Sequence, residues 1–424
     1  MTFRSSPRAV CLGLAAATLL SLTAVDRASA EAQLLIEAST GKVLHAENAT
    51  YPWYPASVTK LMTAYTTLRA IKDGKVSFNT LLTMSKNAVA QQPTKMGFKL
   101  GTTVTIDNAL KMLMVKSAND IAVAIAEGVG GSIEGFADMM NANARRLGMT
   151  QSNFVNPNGL PAENHVTSAR DLGILARALI RDFPESDGFW HISSMRYGNR
   201  IYHNYNSLID RYPGADGMKT GFICASGYNV VASATRNGRR LIAIVLGAYS
   251  GAVRAQKAGA LLERGFNSGG LSWLTPSLGT VDQLAPVDAQ PPNLRDEMCG
   301  GHRRKPASED NEEEEPNPDT PVAGNTESDT SGQAYMLSSL KPANGKFVLG
   351  PPVETAPPVV VFTGPADHPD AAPVASAAAK KKKKAAKATA EKPAADTPAP
   401  AGDKPAKTAK PSKPAKPKVS SAAQ

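Results

Sequence analysis

The sequence has few cysteines and histidines, and none of them clusters at the spacing of a metal site. Three cysteines stand among 424 residues, and the six histidines are scattered along the chain. These counts exclude a disulfide framework and predict no metal or organic cofactor. The longest apolar stretch, residues 9–25, is rich in Ala, Thr and Ser. It falls short of the roughly 20 strongly apolar residues that span a bilayer.

Aromatic residues are almost absent from the C-terminal third. Residues 276–424 hold 3 of the 24 aromatic residues but 23 of the 31 prolines. A segment with so few large apolar side chains cannot offset the entropy of ordering its backbone. We therefore predict one folded domain over residues 31–275, an acidic, Pro-rich linker over 276–379, and a disordered Lys/Ala/Pro-rich tail over 380–424. The apolar run at 359–362 is too short to form a domain.

The formal net charge of +10 does not come from the predicted folded domain. Thirteen lysines against three acidic residues give the tail +10, and residues 1–30 add +2, which leaves −2 for the rest. This excludes a strongly basic nucleic-acid-binding fold. In an exported protein the tail would bind anionic lipid headgroups or acidic envelope polymers, or it would serve only to increase solubility. The sequence leaves both readings open.

The first 30 residues have the pattern of a secretory signal peptide. Arg4 and Arg8 precede the apolar stretch, and residues 28–30 are small, as a signal peptidase requires. We predict cleavage after Ala30 and an exported protein, in the periplasm or associated with the cell wall, peripheral to the membrane. An oxidising compartment would allow Cys224 and Cys299 to pair. A core of this size does not need a covalent link, so the sequence favours two unpaired cysteines, with Cys224 a small packed residue.

Apolar periodicity predicts strands at both ends of the folded domain and helices between them. Residues 32–37 and 42–47 are short apolar runs joined by a turn, and 228–235 and 240–249 flank Asn237-Gly238, a strong hairpin signal. A further strand is predicted at 218–222, and helices are predicted at 57–68, 106–115, 121–127, 133–147, 168–180 and 252–266. The expected fold is α/β, with one antiparallel sheet flanked by helices and a helical subdomain.

A serine and a lysine three residues apart give the first chemical signal. On a helix, Ser57 and Lys60 would lie one turn apart on one face, close enough to share a proton. A serine needs a base to become a nucleophile, and an amine can serve when burial and a second cation lower its pKa. The pair alone is a weak signal. Ser338 and Lys341 repeat the spacing in the Pro-rich region, where no packed site would desolvate the lysine.

Two further motifs strengthen the first. Ser117 and Asn119 belong to a polar turn, 116–120, between two predicted helices, and Lys219, Thr220 and Gly221 lie on the predicted strand at 218–222. Three such motifs in this order on helix, loop and strand are rarely accidental. Together they resemble the penicillin-binding proteins and serine β-lactamases. The resemblance becomes specific to one branch of this superfamily in four stretches of the chain, residues 55–60, 167–172, 216–221 and 227–235.

Those four stretches look like the low-molecular-weight penicillin-binding proteins, which are serine-type D-alanyl-D-alanine carboxypeptidases of peptidase family S11. The likeness covers residues 31–270 and implies a β-lactamase/transpeptidase-like fold. It implies that Ser57 attacks the carbonyl between two D-alanines to form an acyl-enzyme, with Lys60 as its base. Ser117 would relay the proton to the leaving D-alanine. Asn119 would hydrogen-bond a substrate amide, and Lys219 would add positive potential beside Ser117.

The same resemblance implies further substrate contacts. Backbone N–H groups of Ser57 and Phe222 would hold the oxyanion, with Gly221 completing the strand motif. Thr220 would help to bind the substrate carboxylate. Arg254, in the early turn of the last helix, would contribute to carboxylate recognition.

The resemblance therefore predicts a carboxypeptidase that trims peptidoglycan stem pentapeptides and is acylated by β-lactam antibiotics. Two other functions stay open. A D,D-endopeptidase acting on cross-links would use the same site, and a non-catalytic envelope scaffold would act through the Lys-rich tail. A β-lactamase is disfavoured because fast hydrolysis of the acyl-enzyme needs a placed acidic residue, for which Glu163 is only a weak candidate.

Overall fold

The structure is a computed structural model that describes residues 31–268, 277–301, 347–353 and 356–367. The predicted signal peptide and tail lie outside the described residues. The strands are β1 (Ala32–Glu37), β2 (Val43–Glu47), β3 (Leu81–Thr83), β4 (Thr103–Thr105), β5 (Ser194–Tyr197), β6 (Arg200–His203), β7 (Ala215–Ile223), β8 (Gly227–Arg236), β9 (Arg239–Ala248) and β10 (Val359–Val361). The α-helices are α1 (Lys60–Lys72), α2 (Lys86–Val89), α3 (Ile106–Val115), α4 (Asn119–Gly130), α5 (Ile133–Leu147), α6 (Ala169–Asp182), α7 (Leu208–Arg211), α8 (Gly251–Asn267) and α9 (Arg295–Cys299).

A five-stranded antiparallel sheet, in the order β2-β1-β9-β8-β7, is the centre of the fold. The predicted Asn237-Gly238 turn joins β8 to β9, and both residues have positive φ angles, as a tight hairpin turn requires. Because β7 is at the edge of the sheet, one side of its backbone is not paired within the sheet. The predicted α/β fold, an antiparallel sheet flanked by helices, is confirmed, and two smaller sheets (β10-β5-β6 and β3-β4) accompany it.

Helices cover both faces of the sheet, which explains its nearly continuous apolar strands. Successive side chains of a strand point to opposite faces. Leu34 and Ile36 belong to the same buried cluster as Leu175 of α6, whereas Leu35 belongs to a second cluster with Leu262 of α8. The same alternation divides β9 into Ile242, Ile244 and Leu246 on the first face and Leu241, Ala243 and Val245 on the second.

The helical block between β2 and β5 is built from α1 and α3 to α6, and its helix starts are encoded locally. Thr105, Ser132 and Ser168 are N-caps whose hydroxyls accept backbone N–H bonds at the starts of α3, α5 and α6. Glycines with positive φ, Gly131 and Gly148, end α4 and α5. Among the described residues no helix is long and apolar enough to cross a membrane.

Part of the predicted linker packs on the folded domain instead. Leu294 and Met298 are buried, and Phe347 and Leu349 pack against the cluster under α8. The short run β10 pairs in parallel with β5. The folded region therefore extends beyond the boundary predicted at residue 275. Composition missed this because a few apolar residues can join an existing core although they could not form one of their own.

Cys224 and Cys299 form a disulfide, with their Cα atoms 5.7 Å apart. The expectation of two unpaired cysteines is therefore wrong. The bridge ties α9 to the turn between β7 and β8, and the N–H of Leu294 donates to the carbonyl oxygen of Ala225 beside it over 3.0 Å. Pairing across 75 residues depends on this tertiary contact, which the sequence pattern does not reveal.

Candidate active site

Ser57 lies in a single 3₁₀ turn, Ala56–Thr59, that runs directly into α1 at Lys60. The sequence predicts a regular α-helix here, whereas the structure has a tighter turn that changes the relative direction of the Ser57 and Lys60 side chains. Residues i and i+3 are nearly eclipsed in a 3₁₀ turn, which brings the Ser57 and Lys60 side chains together. Ala56 has a φ of +51°, so the backbone bends sharply just before the half-buried Ser57.

The nucleophile turn is fastened to the main sheet by side-chain hydrogen bonds. The Asn229 amide on β8 donates to the carbonyl oxygens of Tyr54 (3.0 Å) and Pro55 (3.1 Å). The indole N–H of Trp53 donates to the Ser226 carbonyl oxygen over 3.1 Å. These contacts hold the bend in place because they satisfy backbone groups that no helix or strand pairs. Asn229 and Trp53 were not predicted as site residues.

Lys60 is fully buried, and hydrogen-bond acceptors from three parts of the chain lie around its Nζ. The acceptors are Ser57 Oγ (2.9 Å), Asn119 Oδ1 (2.7 Å) and the Asn158 carbonyl oxygen (2.9 Å). The two carbonyl-type acceptors fix two N–H directions. In the neutral amine, the lone pair is then directed at the Ser57 hydroxyl, which is the arrangement that a general base requires.

The second predicted motif meets the first through Asn119. This residue begins α4 rather than lying in the preceding turn. Its amide oxygen accepts from Lys60, and its amide nitrogen donates to the Gln92 carbonyl oxygen over 2.9 Å. Both polar groups of Asn119 therefore have protein partners, and these contacts make it a positioning residue for Lys60. Its predicted contact with substrate stays a prediction.

The third motif reaches the nucleophile turn through Gly221 on β7. A Cβ placed on Gly221 would lie only 2.7 Å from the Ser57 backbone nitrogen and 2.9 Å from that of Val58. Glycine is needed here because the two backbones approach more closely than a side chain allows. The three predicted motifs thus converge on one place, with Lys219 and Thr220 just before Gly221 on the edge strand.

Two hydroxyls in this place are buried and make no hydrogen bond within the described part of the chain. They are Ser117 Oγ and Thr220 Oγ1. A buried hydroxyl without a partner destabilises a fold, so such groups are rare outside functional sites. Ser117 also has a φ of +56°, another local cost. Both features fit side chains that serve a substrate rather than the fold.

Two buried cations belong to the elements of the site, Lys219 on β7 directly before Thr220 and Arg254 on α8. Lys219 is 1 % exposed and Arg254 is 3 % exposed. Lys219 Nζ donates to the Thr220 carbonyl oxygen over 3.0 Å, and the Arg254 guanidinium lies 3.3 Å from the Tyr205 carbonyl oxygen. Buried cations raise the local potential for an anionic group. The carboxylate contact predicted for Arg254 stays a prediction.

Phe222 follows Gly221 and stacks on Tyr228, with 4.3 Å between ring centroids. The Phe222 side chain therefore contacts another side chain of the protein. The oxyanion role implied for the Phe222 backbone N–H stays a prediction.

The loop before His165, in which the sequence analysis considered only Glu163, packs against the turn that carries Ser57. The Asn158 carbonyl oxygen in this loop accepts from Lys60, and a Cβ on Gly159 would lie 1.8 Å from the Ala56 carbonyl oxygen. Gly159 has a φ of +82°. The letters Asn-Pro-Asn-Gly at 156–159 indicate a turn. They do not indicate which residue the turn contacts.

His165 closes the same loop and was also missed. Its Nδ1 accepts the Val155 N–H over 3.0 Å, so Nε2 carries the proton and donates to Thr59 Oγ1 over 2.9 Å. Burial lowers the pKa of His165 to about 4. The imidazole is therefore neutral near pH 7 and supports the turn that carries Lys60.

No group of three or more His, Cys, Asp or Glu side chains could hold a metal ion in the described ranges. What the site contains is a serine hydroxyl, a buried amine directed at it, two unpaired hydroxyls and an edge strand. This arrangement on a helix-covered antiparallel sheet has the features of a serine acyl-transfer site of the penicillin-binding protein fold.

Comparison with known proteins gives the family. Residues 21–250 match the model of the S11 peptidases, described as D-alanyl-D-alanine carboxypeptidase, and the chain belongs to this family. The D-alanyl-D-alanine carboxypeptidase DacC of Escherichia coli is 36% identical over 244 residues, which cover 56% of this chain and 61% of DacC. The chain thus matches less than two thirds of that relative's length.

Solved structures agree with the assignment of the fold. Penicillin-binding protein 5 from Haemophilus influenzae is 33% identical with a TM-score of 0.53, covering 55% of this chain and 70% of that one. Penicillin-binding protein D2 from Listeria monocytogenes, solved in its ampicillin-bound form, is 28% identical with a TM-score of 0.51, covering 56% of this chain and 97% of that one.

Proposed function

We propose that the chain is a serine carboxypeptidase that removes the terminal D-alanine from peptidoglycan stem pentapeptides. The observation that carries this proposal is the buried Lys60 amine, 2.9 Å from Ser57 Oγ and held by two carbonyl oxygens. The S11 family match and the relatives named D-alanyl-D-alanine carboxypeptidase support the choice of substrate.

Acylation begins when Ser57 Oγ attacks the carbonyl carbon of the penultimate D-alanine and passes its proton to Lys60. The negative charge on the carbonyl oxygen is held by the backbone N–H groups of Ser57 and Phe222. The C–N bond then breaks, and the leaving nitrogen takes up a proton relayed from Lys60 through the Ser117 hydroxyl. The products are free D-alanine and an ester on Ser57, which water hydrolyses to restore the serine.

Binding of the terminal carboxylate is assigned to Thr220 with Arg254, and Lys219 adds positive potential beside Ser117. The Thr220 hydroxyl is buried and unpaired within the described residues, and Lys219 contributes a buried positive charge on the same strand. A β-lactam antibiotic carries a carboxylate close to its reactive ring amide and would acylate Ser57 in the same way. The ampicillin-bound form of the Listeria relative supports this extension.

Labelling with a fluorescent penicillin, together with D-alanine release from a pentapeptide ending in D-Ala-D-Ala, tests the proposal. Wild type should be labelled and should release D-alanine, whereas Ser57→Ala should do neither. Ser338→Ala is the matched control, because Ser338 belongs to the second Ser-x-x-Lys sequence, outside the described residues. Its activity should equal that of wild type. A folded wild-type protein that neither takes up label nor releases D-alanine would disprove the assignment.

We also propose that the protein is exported and that cleavage follows Ala30. The signal-like pattern of residues 1–30 and the Cys224–Cys299 disulfide support an oxidising compartment outside the cytosol. The mature protein should begin at Glu31 and appear in the envelope or periplasmic fraction. A mature protein that begins at residue 1 and fractionates with the cytosol would contradict this proposal.

The Lys-rich tail, 380–424, is assigned a separate role as an electrostatic attachment to anionic lipid headgroups or acidic envelope polymers. Its charge of +10 supports this role. The full mature protein should bind anionic vesicles or isolated cell wall at low salt and elute at high salt. A variant ending at residue 379 should bind neither. Equal binding by the two proteins would leave the tail with a solubilising role only.

A further inference from the structure

A cavity of about 320 Å³ opens at the end of β7, beside the nucleophile turn. Four segments line it. Tyr54 and Ala56 come from the chain just before Ser57, residues 159–163 come from the loop over Lys60, and residues 293 and 295 come from the segment leading into α9. Ile223 and Ala225 complete the lining at the strand end.

The direction of the substrate along β7 follows from the proposed site. Its terminal carboxylate lies at Thr220, and its reacting carbonyl lies at the Phe222 N–H. An extended peptide advances about 3.3 Å per residue. The residue before the two D-alanines therefore lies past Phe222, where Ile223 and Ala225 line the cavity. Its side chain is the first substrate group that the cavity can receive.

The segment leading into α9, which lines one side of this cavity, is linked to the end of β7. The Cys224–Cys299 disulfide joins α9 to the residue after Ile223, and the Leu294 N–H donates to the Ala225 carbonyl oxygen over 3.0 Å. Leu294 and Met298 are 3 % exposed. The segment therefore has a defined position at the strand end, although it lies beyond the part of the chain that matches the family model.

The cavity has one basic and one acidic side chain in its lining, and both are exposed. Arg295 comes from the α9 segment and Glu163 from the opposite loop. Neither has an ion-pair partner among the described residues. A side chain with only a carboxylate would be repelled by Glu163, and one with only an ammonium group would be repelled by Arg295. A side chain that carries both charges matches the pair.

We propose that Arg295 is a specificity-determining residue that binds a carboxylate on the side chain of the substrate residue preceding D-Ala-D-Ala. Glu163 faces the ammonium group of the same side chain. This inference rests on the proposed function, because it places the peptide along β7. Arginine suits the role since its planar guanidinium pairs with a carboxylate through two parallel hydrogen bonds.

Two substrates that differ in one charge test the assignment. Both are N-acetyl-X-D-Ala-D-Ala, with X a 2,6-diaminopimelate whose side-chain carboxylate is either free or a carboxamide. Wild type should cleave the carboxylate form with a kcat/KM about tenfold higher, as expected for one solvent-accessible charged contact. Arg295→Ala should reduce the ratio to about one, and Arg295→Glu should reverse it. Arg145→Ala, on the exposed surface of α5, should keep the wild-type ratio and activity.

Cleavage of N-acetyl-D-Ala-D-Ala, which lacks residue X, separates the two proposals. If wild type cleaves this dipeptide but shows no preference between the two longer substrates, the Arg295 assignment is wrong and the proposed function stands. A preference that survives in Arg295→Ala would overturn the assignment as well. If wild type cleaves none of the three substrates, both proposals fail. Thermal unfolding of each variant confirms that it is folded.

Discussion

The Nε2 atom of His165 lies 2.9 Å from the hydroxyl of Thr59, the residue directly before the buried Lys60. This bond joins the loop over the active site to the turn that carries the nucleophile. It requires a neutral imidazole with its proton on Nε2, because Nδ1 accepts a backbone N–H. The pKa of about 4 in the folded protein, which burial causes, satisfies that requirement near neutral pH.

Acid should therefore destabilise the fold through His165. Its pKa is about 4 in the folded protein. The unfolded pKa is about 6.5, so between these two values the unfolded chain binds a proton that the folded protein does not. The contribution is fully present above pH 6.5 and is lost as the pH falls toward 4. From pH 7 to pH 5 the free energy of unfolding should fall by about 2 kcal/mol through this group.

Urea denaturation of wild type and His165→Gln at the two pH values measures this effect. The loss on acidification should be about 2 kcal/mol larger in wild type than in the variant, which lacks the titrating group. Taking the difference removes the contributions of carboxylates common to both proteins. Equal losses in the two proteins would show that His165 does not titrate as the structure predicts.

The Gly221–Ser57 contact makes a second prediction. In Gly221→Ala the new methyl group would lie 2.7 Å from the Ser57 nitrogen and 2.9 Å from the Val58 nitrogen, so the nucleophile turn has to move. A displacement of about 1 Å in a catalytic group costs roughly 100-fold in rate. We expect the second-order rate constant for acylation by penicillin to fall by about this factor.

Gly188→Ala is the control for that substitution. A Cβ at Gly188 meets no atom within 4 Å, and its φ is not in the left-handed region. Its acylation rate should stay within about twofold of the wild-type value, the range expected of a surface change. Acylation of Gly221→Ala at the wild-type rate would mean that the strand and the turn do not constrain one another.

Removing the unpaired hydroxyl of Ser117 should lower the activity of the protein but not its stability. Since Ser117 Oγ is buried and has no hydrogen bond within the described residues, Ser117→Ala removes a polar group that does not stabilise the fold. The free energy of unfolding should be unchanged or raised by up to about 1 kcal/mol. Release of D-alanine should fall by roughly 10²- to 10⁴-fold, the usual contribution of a proton-transfer group.

Ser226→Ala should behave in the opposite way. The buried Ser226 hydroxyl donates to the Gly227 carbonyl oxygen (2.8 Å) and accepts the Ile223 N–H (3.3 Å), so its loss should destabilise the fold by about 1 kcal/mol. Chemical denaturation and the D-alanine assay on both variants make the comparison. A destabilised Ser117→Ala protein with full activity would assign Ser117 to the fold instead of the reaction.

Much of the fold was predictable because it is encoded over short distances. The apolar run of β9, the Asn237-Gly238 turn and the helical periodicity of residues 168–180 are all local signals, and they indicate the elements that the structure contains. The three motifs were found for the same reason. Their convergence had to come from the resemblance, because the contacts Lys60–Asn119 and Gly221–Ser57 join residues 59 and 164 positions apart.

The supporting residues could not be predicted, since each acts through a contact that only the folded chain creates. The sequence around Asn229, His165 and Asn158 does not indicate that these residues contact the turn around Ser57 and Lys60. The prediction that Cys224 and Cys299 are unpaired was wrong for a related reason. The argument from core size says whether a bridge is needed, but proximity decides whether one forms.

The disulfide makes a final prediction about the segment that lines the cavity. The two cysteines are 75 residues apart, and closing a loop of that length stabilises a protein by about 4 kcal/mol in the chain-entropy model. Cys299→Ser should therefore lower the free energy of unfolding by about 2–4 kcal/mol, with partial compensation from the buried Leu294 and Met298. Cys224→Ser should have the same effect, and the double variant should lose no more than either single one. Guanidinium denaturation of the four proteins, with and without reductant, provides the measurement. Wild type in reductant should match the variants, and a wild type whose unfolding is indifferent to reductant would show that the bridge does not hold this segment.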